Sequence, residues 1–240
     1  MIQFYSPDIL QTMSLPESDS AHCSRVLRMK AGDQLIVVDG HGHRYTCRLV
    51  APHNKHAAVE IVACEDIKPV WGYDINIAVA PTKHNDRMEW LVEKLVEIGV
   101  NRITPLKCRY SERKEINTER LVKIAVSAMK QSLKATLPVI DEMTPIKDYL
   151  ESVNTPGRFI GYCANEFERR TLAREYIPGT SATILIGPEG DFSPDEVKAA
   201  IDHGFVPVTM GDNRLRTETA ALVGCDTCHI ISQASEAGHI

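Results

Sequence analysis

Two loops of the sequence carry the side chains best suited to binding a charged small molecule. The first follows a hydrophobic strand and reads Ile184-Leu-Ile-Gly-Pro-Glu-Gly-Asp-Phe-Ser-Pro-Asp-Glu196. Ser193 and Glu196 have the spacing of a capping box, with Pro194 at the first helical position, so a helix is predicted to start there. The loop therefore occupies the carboxyl end of a strand, where open parallel sheets bind ligands. It lacks the Gly-Lys-Ser/Thr ending of a P-loop and contains acids, so a cationic or neutral ligand is favoured, with an ordinary strand-to-helix turn as the alternative.

The second loop, Met210-Gly-Asp-Asn-Arg-Leu-Arg-Thr-Glu-Thr-Ala220, also links a predicted strand to a predicted helix. Two guanidinium groups and a carboxylate fall within five residues, at Arg214, Arg216 and Glu218. A helix that is capped by a threonine and carries a surface ion pair is the alternative interpretation. Because two such loops follow two strands that could be neighbours in one sheet, a composite binding site is favoured.

A helix predicted from Asn117 carries a stripe of basic side chains. Residues spaced three and four apart lie on one helical face, and here they are Arg120, Lys123, Ser127, Lys130 and Lys134. Three further basic residues extend the stripe upstream, namely Arg109, Arg113 and Lys114. The pattern indicates a track for nucleic-acid phosphates, with a simply solvated helix face as the alternative.

Three other patterns have weaker support. Cys225-x-x-Cys228-His229 lies in an apolar helix without a second ligand pair, so a core-facing position is favoured over metal or haem binding. A group around a hairpin lacks metal-ligand spacing and carboxylate support, namely His41, His43, Cys47, His53 and His56. The sequence contains no Gly-x-Ser-x-Gly elbow, which disfavours hydrolase chemistry. No metal site is therefore predicted.

The elements that must position these residues form two predicted domains. Residues 1–70 contain short strands around a hairpin turn at 39–42, which indicates a small β-rich domain built as a barrel. Over residues 71–240 strands alternate with helices, which predicts an α/β domain with a mostly parallel sheet. Strands are predicted at 34–38, 42–50, 57–64, 75–80, 102–106, 158–163, 183–187 and 206–210, and helices at 20–29, 83–100, 117–137 and 217–232.

Composition and charge exclude several classes of protein. The 240 residues are 43% hydrophobic and 25% charged, which is typical of globular proteins and not of disordered or fibrous ones. There is no long apolar run and no signal-peptide pattern, so a cytoplasmic location is expected, with the seven cysteines reduced. The net charge is −5, but residues 71–130 carry 11 basic and 8 acidic side chains, which fits a polyanion that contacts one face.

Further motifs complete a pattern that spans nearly the whole chain. They are His22, Arg25-Val-Leu-Arg28, Gly32-Asp33, Lys83, Arg87-Met-Glu-Trp-Leu-Val-Glu-Lys94, Glu97-Ile-Gly-Val100, Ser111-Glu-Arg113 and Gln131-Ser132. Together with the two loops, and in this order, they resemble the ribosomal RNA small subunit methyltransferase E family of the SPOUT superfamily. The two loops are the more specific part of the resemblance.

The resemblance implies a PUA-like β-barrel that binds RNA, followed by a SPOUT α/β domain whose C-terminal trefoil knot binds S-adenosylmethionine. It also implies a homodimer that methylates N3 of one uridine in small-subunit rRNA, as free RNA or in a ribosomal particle. The residues implied for the cofactor are Tyr162, Ile186, Gly187, Pro188, Glu189, Gly190, Met210, Gly211, Leu215, Arg216 and Thr217. Those implied for RNA are His22, Arg25, Arg28, Lys83, Arg87, Lys94, Arg113, Lys130, Gln131 and Lys134.

Methyl transfer to uracil N3 requires alignment of two reactants and removal of one proton. Arg216 is the predicted donor that stabilises negative charge on the uracil carbonyls. Glu218 or Glu189 is the predicted proton acceptor, with bulk water as an equal alternative. Asp191 departs from the family pattern, which has a second glycine there. The alternative functions are a non-catalytic RNA-binding factor of ribosome assembly and a small-molecule enzyme.

Overall fold

The chain folds into two compact units, each built around its own β-sheet. The computed structural model describes residues 2–164 and 166–238. The first unit contains the chain as far as Val70 together with Val126–Leu137, and the second contains Trp71–Ala125 and the chain from Pro138 onwards. The sequence suggested one division near residue 70, with 126–137 in the second domain, whereas the contacts group this segment with the first unit.

The described residues before Val70 form four strands and two short α-helices, with a π-helical segment after the second helix. In chain order the strands and α-helices are β1 (Gln3–Tyr5), α1 (Ile9–Thr12), α2 (Glu17–Ala21), β2 (Gln34–Val38), β3 (His43–Ala51) and β4 (Ala58–Asp66). The strands pair in sequence order, with β1 parallel to β2 and the other pairs antiparallel. Ser14 pairs with Ala58 of β4, so the N-terminal segment contacts both edges of the sheet, as barrel-like closure requires.

Alternating burial explains why the strands of this unit could be predicted. Leu35 and Val37 of β2 and Tyr45, Cys47 and Leu49 of β3 are buried at every second position. The strand predicted at 34–38 is confirmed at both ends, and those predicted at 42–50 and 57–64 lie within two residues of β3 and β4.

The helix predicted over 20–29 was only partly correct. The helix α2 ends at Ala21, and a π-helical segment, His22–Val26, continues from it. Arg28 then has a φ of 53°, in the left-handed region, so a right-handed helix cannot continue to residue 29.

The second unit contains a parallel sheet. From residue 71 onwards the elements are β5 (Ile75–Val79), α3 (Asn85–Ile98), β6 (Arg102–Lys107), α4 (Thr118–Gln131), β7 (Val139–Ile140), β8 (Thr144–Pro145), α5 (Ile146–Ser152), β9 (Gly157–Gly161), β10 (Arg170–Thr171), α6 (Leu172–Glu175), β11 (Ala182–Ile186), α7 (Pro194–Asp202), β12 (Val206–Thr209) and α8 (Thr217–Glu236). The sheet order is β10-β12-β9-β11-β5-β6-β7, with β8 also paired to β6. The described pairings are all parallel, which confirms the predicted α/β class.

Helices pack on both faces of this sheet. Leu106 and Leu185 pack in one cluster with residues of α5 and α7. Gly224 of α8 lies against Ile184, whose side chain points to the opposite face because neighbouring residues of a strand alternate. All five residues of β11 are buried, as expected of a central parallel strand. No helix within the described ranges is long and apolar enough to cross a membrane.

The helix predicted over 83–100 is confirmed two residues shorter at each end, and it carries an apolar stripe. The helix α3 begins at Asn85 and ends before Gly99, whose φ of 116° is left-handed and favours glycine. The buried residues of the stripe are Met88, Leu91, Val92, Leu95 and Val96.

The helix predicted over 117–137 ends earlier than its sequence suggested. The helix α4 stops at Gln131, and the Ser132 hydroxyl donates a hydrogen bond to the Ala128 carbonyl oxygen, 2.7 Å away. Side-chain bonds of this kind compete with the helical pattern. Leu133 then has a left-handed φ of 57°, which terminates the helix.

Candidate active site

Three loops at the carboxyl ends of neighbouring strands enclose one cavity of the second unit. The strand β9 lies between β11 and β12 in the sheet, so the loops that follow these three strands meet at one edge. They enclose about 480 Å³. Cavities of roughly 300–1,000 Å³ are typical of small-molecule sites, and this edge is where open parallel sheets bind ligands.

Most of the residues predicted for a cofactor meet at this cavity. Ten of the eleven line it, namely Tyr162, Ile186, Gly187, Pro188, Glu189, Met210, Gly211, Leu215, Arg216 and Thr217. The eleventh, Gly190, lies between two lining residues and packs instead on Tyr110, where an added Cβ would lie 3.2 Å from the Tyr110 Cβ. The three predicted catalytic residues, Glu189, Arg216 and Glu218, also line the cavity.

Several lining residues were not singled out for the cofactor in the sequence. They are Arg87, Gly161, Cys163, Arg169, Asp191, Val208, Thr209, Asp212, Asn213, Arg214 and Ala220. Arg87 was assigned to RNA, and Arg169 belongs to no motif. The Arg169 guanidinium donates hydrogen bonds to the carbonyl oxygens of Tyr162 (3.3 Å) and Cys163 (3.0 Å). Asp191 and residues 212–214 lie within the two loops quoted from the sequence, whereas position at or next to a strand end was the only signal for Gly161, Cys163, Val208 and Thr209.

The loop after β11 is fixed by its own hydrogen bonds. The predicted capping box is confirmed, because the Ser193 hydroxyl accepts from the Glu196 N–H and the Glu196 carboxylate accepts from the Ser193 N–H. The Asp191 N–H donates to the Pro188 carbonyl oxygen at 2.9 Å, which closes a tight turn. Thr217 at the start of α8 donates its hydroxyl to the Gly187 carbonyl oxygen at 3.1 Å, which joins this loop to the helix.

Glu189 and Arg113 both hold the loop that follows β5. Glu189 Oε1 accepts a hydrogen bond from the Lys83 N–H at 3.0 Å. Arg113 donates to the carbonyl oxygens of Thr82 (3.3 Å) and Lys83 (2.8 Å). Arg113 was predicted to bind RNA, and in the structure its guanidinium is engaged by the backbone.

Charges of both signs line the cavity. The lining carboxylates are Glu189, Asp191, Asp212 and Glu218, and the lining guanidinium groups are Arg87, Arg169, Arg214 and Arg216. Glu218 is buried and its Oε1 lies 3.7 Å from Arg87 Nε. Arg216 is the N-cap residue of α8, and its side chain is exposed. The cavity therefore presents charges of both signs, which suit a ligand that carries both positive and negative groups.

Two neutral side chains, those of Tyr162 and Cys163, also line the cavity. Burial, reinforced by a hydrogen bond to Glu166 and by nearby carboxylates, raises the pKa of Tyr162 to about 12. Burial and then the neighbouring Asp191 carboxylate raise the pKa of the Cys163 thiol above its usual value. Both side chains are therefore protonated at neutral pH and neither is suited to act as a base.

The residues predicted for RNA binding occupy different environments. In the first unit His22, Arg25, Arg28 and Gln131 are exposed, whereas Lys130 Nζ lies 2.7 Å from the buried Asp19. Lys134 is half-buried, and its carbonyl oxygen accepts from the Gln3 side chain.

In the second unit Lys83 is exposed, with its Nζ 3.3 Å from Glu112, while Arg87 and Arg113 are half-buried. Lys94 Nζ lies 2.7 Å from Glu93 and 2.9 Å from Glu97.

The Cys225-x-x-Cys228-His229 sequence is core-facing, as predicted. All three residues are buried in α8. The His229 ring stacks on Trp71 with 4.3 Å between centroids, and its Nδ1 lies 3.0 Å from the Tyr73 hydroxyl. Across residues 2–164 and 166–238 there is no group of three His, Cys, Asp or Glu side chains that could hold a metal ion.

Family models match both units of the chain. A model of an RNA methyltransferase domain matches residues 70–229, and a model of an RNA methyltransferase PUA domain matches residues 15–62. Fold, site and matches together define an RNA methyltransferase of the SPOUT class with an N-terminal PUA-like domain.

Solved structures and sequence relatives identify the family within this class. A crystal structure from Porphyromonas gingivalis, described as a probable rRNA-methyltransferase, is 43% identical, covers 98% of this chain and 100% of that one, and has a TM-score of 0.94. The ribosomal RNA small subunit methyltransferase E of Neisseria gonorrhoeae, solved bound to S-adenosyl methionine, is 25% identical over 99% and 98% of the two chains, with a TM-score of 0.81. The same enzyme of Rickettsia conorii is 28% identical over 88% of this chain and 86% of its own. The chain belongs to the ribosomal RNA small subunit methyltransferase E family.

Proposed function

We propose that this protein transfers the methyl group of S-adenosylmethionine to N3 of a uridine in small-subunit rRNA. The observation that carries the proposal is that ten of the eleven residues implied for the cofactor line the same cavity. The relative from Neisseria gonorrhoeae, which shares this fold, was solved with S-adenosyl methionine bound.

The residues that line the cavity fit this cofactor. Its carboxylate, ammonium and sulfonium groups suit a site that contains guanidinium and carboxylate groups in equal number. Gly211 has a left-handed φ of 123° and no atom within 4 Å of an added Cβ, so its peptide groups are open to a ligand. The loops 186–190 and 210–217 would hold the cofactor, which supplies a methyl group already activated for attack by nitrogen.

Arg216 would stabilise the uracil ring as N3 loses its proton. Deprotonation spreads negative charge over both ring carbonyls, and a positioned donor at such an oxygen contributes about 3–4 kcal/mol to catalysis. The exposed Arg216 side chain at the cavity wall meets this requirement, and its backbone is fixed as the N-cap of α8.

Two carboxylates and water remain the candidate proton acceptors. Glu189 is exposed and uses one oxygen to accept from the Lys83 N–H, which leaves the other oxygen available to a substrate. Glu218 is buried beside Arg87, which would hold it as an ion-pair partner. The geometry therefore favours Glu189 over Glu218, with bulk water as the third candidate.

The first unit would contribute RNA affinity. Its match to a PUA domain of RNA methyltransferases and its exposed His22, Arg25 and Arg28 support phosphate contacts there. The target uridine would have to be unstacked before N3 could reach the cavity.

A second copy of the chain would complete the assembly as a homodimer. Two large apolar side chains support this part of the proposal, Trp90 of α3 at 42% exposure and Ile230 of α8 at 55%. Sedimentation analysis of the purified protein tests it.

The decisive experiment is methylation of small-subunit rRNA in vitro, followed by digestion to nucleosides and mass spectrometry. Deproteinised rRNA and assembled small subunits, both lacking the modification, are supplied in parallel. We expect 3-methyluridine with at least one substrate, and a kcat lower by about 10²–10³-fold for Arg216→Ala. Arg174→Ala, which changes an exposed arginine of α6 outside the cavity, is the matched control and should retain parental activity.

Other outcomes point to other functions. A methylated nucleoside other than 3-methyluridine would refute the N3 assignment and retain methyl transfer. Absence of S-adenosylmethionine binding in calorimetry, even with rRNA added, would refute methyl transfer and favour the non-catalytic assembly factor. A reaction independent of RNA and insensitive to salt would favour the small-molecule enzyme.

A further inference from the structure

A residue with a side chain occupies a left-handed position in the loop between β11 and α7. Asp191 has a φ of 66°, a conformation in which glycine is favoured because it has no Cβ. The family pattern given by the resemblance has glycine there. Asp and Asn tolerate this region better than other residues because their short polar side chains can form local hydrogen bonds. The contacts of the Asp191 side chain therefore decide whether this residue has a role at the site.

Both carboxylate oxygens of Asp191 accept backbone hydrogen bonds. Oδ1 accepts from the following Phe192 N–H at 2.8 Å, which is a local contact. Oδ2 accepts from the Cys163 N–H at 3.0 Å, which lies directly after β9. This second bond joins two loops that are far apart in sequence and that both line the cavity.

The segment after β9 is held on its other side by Tyr162, whose N–H donates to the Val208 carbonyl oxygen at 3.3 Å and whose hydroxyl donates to Glu166 at 2.8 Å. Its carbonyl groups at Tyr162 and Cys163 accept from Arg169, which belongs to the same loop. The bond from the Cys163 N–H to Asp191 ties this segment to the loop after β11. A glycine at position 191 could adopt the same backbone but could not make this tie.

We propose that Asp191 is a positioning residue that ties the loop after β9 to the loop after β11 and thereby presets the cavity for the methyl donor. A preset cavity binds more tightly because less loop ordering accompanies binding. The part that concerns the methyl donor rests on the proposed function. The tie itself does not depend on it.

Two substitutions separate the tie from the negative charge. Asp191→Gly accommodates the left-handed backbone and removes the tie. Asp191→Asn removes the charge but keeps an oxygen that can accept from the Cys163 N–H, and Asn also tolerates this region. Asp202→Asn, an exposed acid of α7 outside the cavity, is the matched control for loss of one charge.

The first measurement is hydrogen–deuterium exchange of the peptide that contains Cys163, in the full chain without cofactor. We expect faster exchange in Asp191→Gly and near-parental exchange in Asp191→Asn and Asp202→Asn. The second measurement is the Kd of S-adenosylmethionine by calorimetry. We expect it to rise about 10-fold in Asp191→Gly and by less than about 3-fold in Asp191→Asn, with thermal stability of both variants close to that of the parent.

The results distinguish a failure of this proposal from a failure of the proposed function. The proposal would be overturned if the parent and Asp191→Gly showed equal exchange and equal Kd. It would also be overturned if Asp191→Gly and Asp191→Asn lost affinity equally, because the effect would then come from the charge. A parent that does not bind S-adenosylmethionine would refute the proposed function, while the exchange data would still test the tie.

Discussion

Basic side chains that look equivalent in the sequence have different environments in the structure. Lys130 was placed on the basic stripe by its spacing, and its ammonium group pairs with the buried Asp19, 111 positions away in sequence. Arg120 of the same stripe forms two hydrogen bonds with Glu89. Spacing identifies which residues share a helical face, but it cannot identify a partner that arrives from a distant part of the chain.

Asp39 shows how burial and hydrogen bonding compete at one residue. Burial by itself raises the pKa of this carboxyl, but hydrogen bonds from the His41 and His43 N–H groups and from the His43 ring outweigh it and lower the pKa below its usual value. The folded state therefore favours the charged form. The resulting stabilisation is complete above the unfolded pKa of about 3.9 and is lost as the pH falls through the folded pKa.

We predict that Asp39→Asn lowers the free energy of unfolding by about 1.5–3 kcal/mol near neutral pH, because the charge that these hydrogen bonds stabilise is removed and an amide nitrogen replaces the oxygen that contacts the His43 ring and the Tyr45 hydroxyl. The difference from the parent should shrink as the pH falls below the unfolded pKa of about 3.9 and through the lower folded pKa of Asp39. Urea denaturation, monitored by circular dichroism at several pH values, measures the free energy of unfolding of both proteins.

The control for this prediction is Asp66→Asn. The Asp66 side chain is 90% exposed and lies 3.7 Å from the other ring nitrogen of His43, so its loss should have little effect. A destabilisation by Asp39→Asn that stays constant from pH 7 to pH 3 would contradict the explanation.

Elements with strong local signals were predicted well, and elements that depend on partners were not. The apolar period of α3 and the capping box of α7 are encoded within a few consecutive residues. The strands β7, β8 and β10 have two residues each, too few to show a period. They exist because a longer neighbouring strand offers backbone hydrogen bonds, which no local pattern reveals.

Two glycines test how closely the elements of the second unit pack. Gly224 lies in the interior of α8, where an added Cβ would be 3.4 Å from Ile184 Cδ1, an ordinary contact. We predict that Gly224→Ala stabilises the protein by about 0.5–1 kcal/mol, because alanine has the higher helix propensity. Urea denaturation followed by tryptophan fluorescence is suitable, since Trp71 and Trp90 both lie in this unit.

Gly157→Ala is the matched comparison, with the opposite expected sign. An added Cβ at Gly157 of β9 would lie 2.9 Å from the Ala182 Cβ on the neighbouring strand, so the strands would have to shift. We expect destabilisation of about 1–3 kcal/mol. Stabilisation by both substitutions would show that β9 and β11 pack more loosely than the structure indicates.

At the scale of the whole molecule, the chain is organised as two units whose boundaries do not follow sequence order. The segment 126–137 joins the first unit, where the Gly42 N–H donates to the Ala135 carbonyl oxygen and the Leu137 N–H to that of Gly40. Removal of the chain after residue 70 would therefore remove part of the first unit as well. The trefoil knot implied by the resemblance stays a prediction.

RNA affinity should depend strongly on salt, because phosphate contacts release counterions. Each contact contributes about 0.7–0.9 to the slope of log Kd against log salt. We predict that the double variant Arg25→Ala, Arg28→Ala lowers this slope by about 1.5 in titrations of a small-subunit rRNA fragment. Arg48→Ala, an exposed arginine of the same unit that pairs with Glu60 at 3.4 Å, should leave the slope nearly unchanged.

The sequence by itself determined the features that depend on neighbouring residues. These are the α/β class, most strand and helix positions, and the two loops whose glycines, arginines and acids line the cavity. It also carried the family resemblance that the comparisons confirm. Periodicity, caps and turn residues act over a few positions, so they can be recognised without the fold.

Only the tertiary structure decided which distant residues meet. The order β12-β9-β11 brings three loops to one edge and places the Asp191 carboxylate against the Cys163 N–H, and the position of β5 beside β11 adds Arg87 of α3 to the cavity. It also pairs Lys130 with Asp19 and joins 126–137 to the first unit. The physical reason is that strand order and long-range pairing result from burial and hydrogen bonding across the whole chain, which no local window of sequence contains.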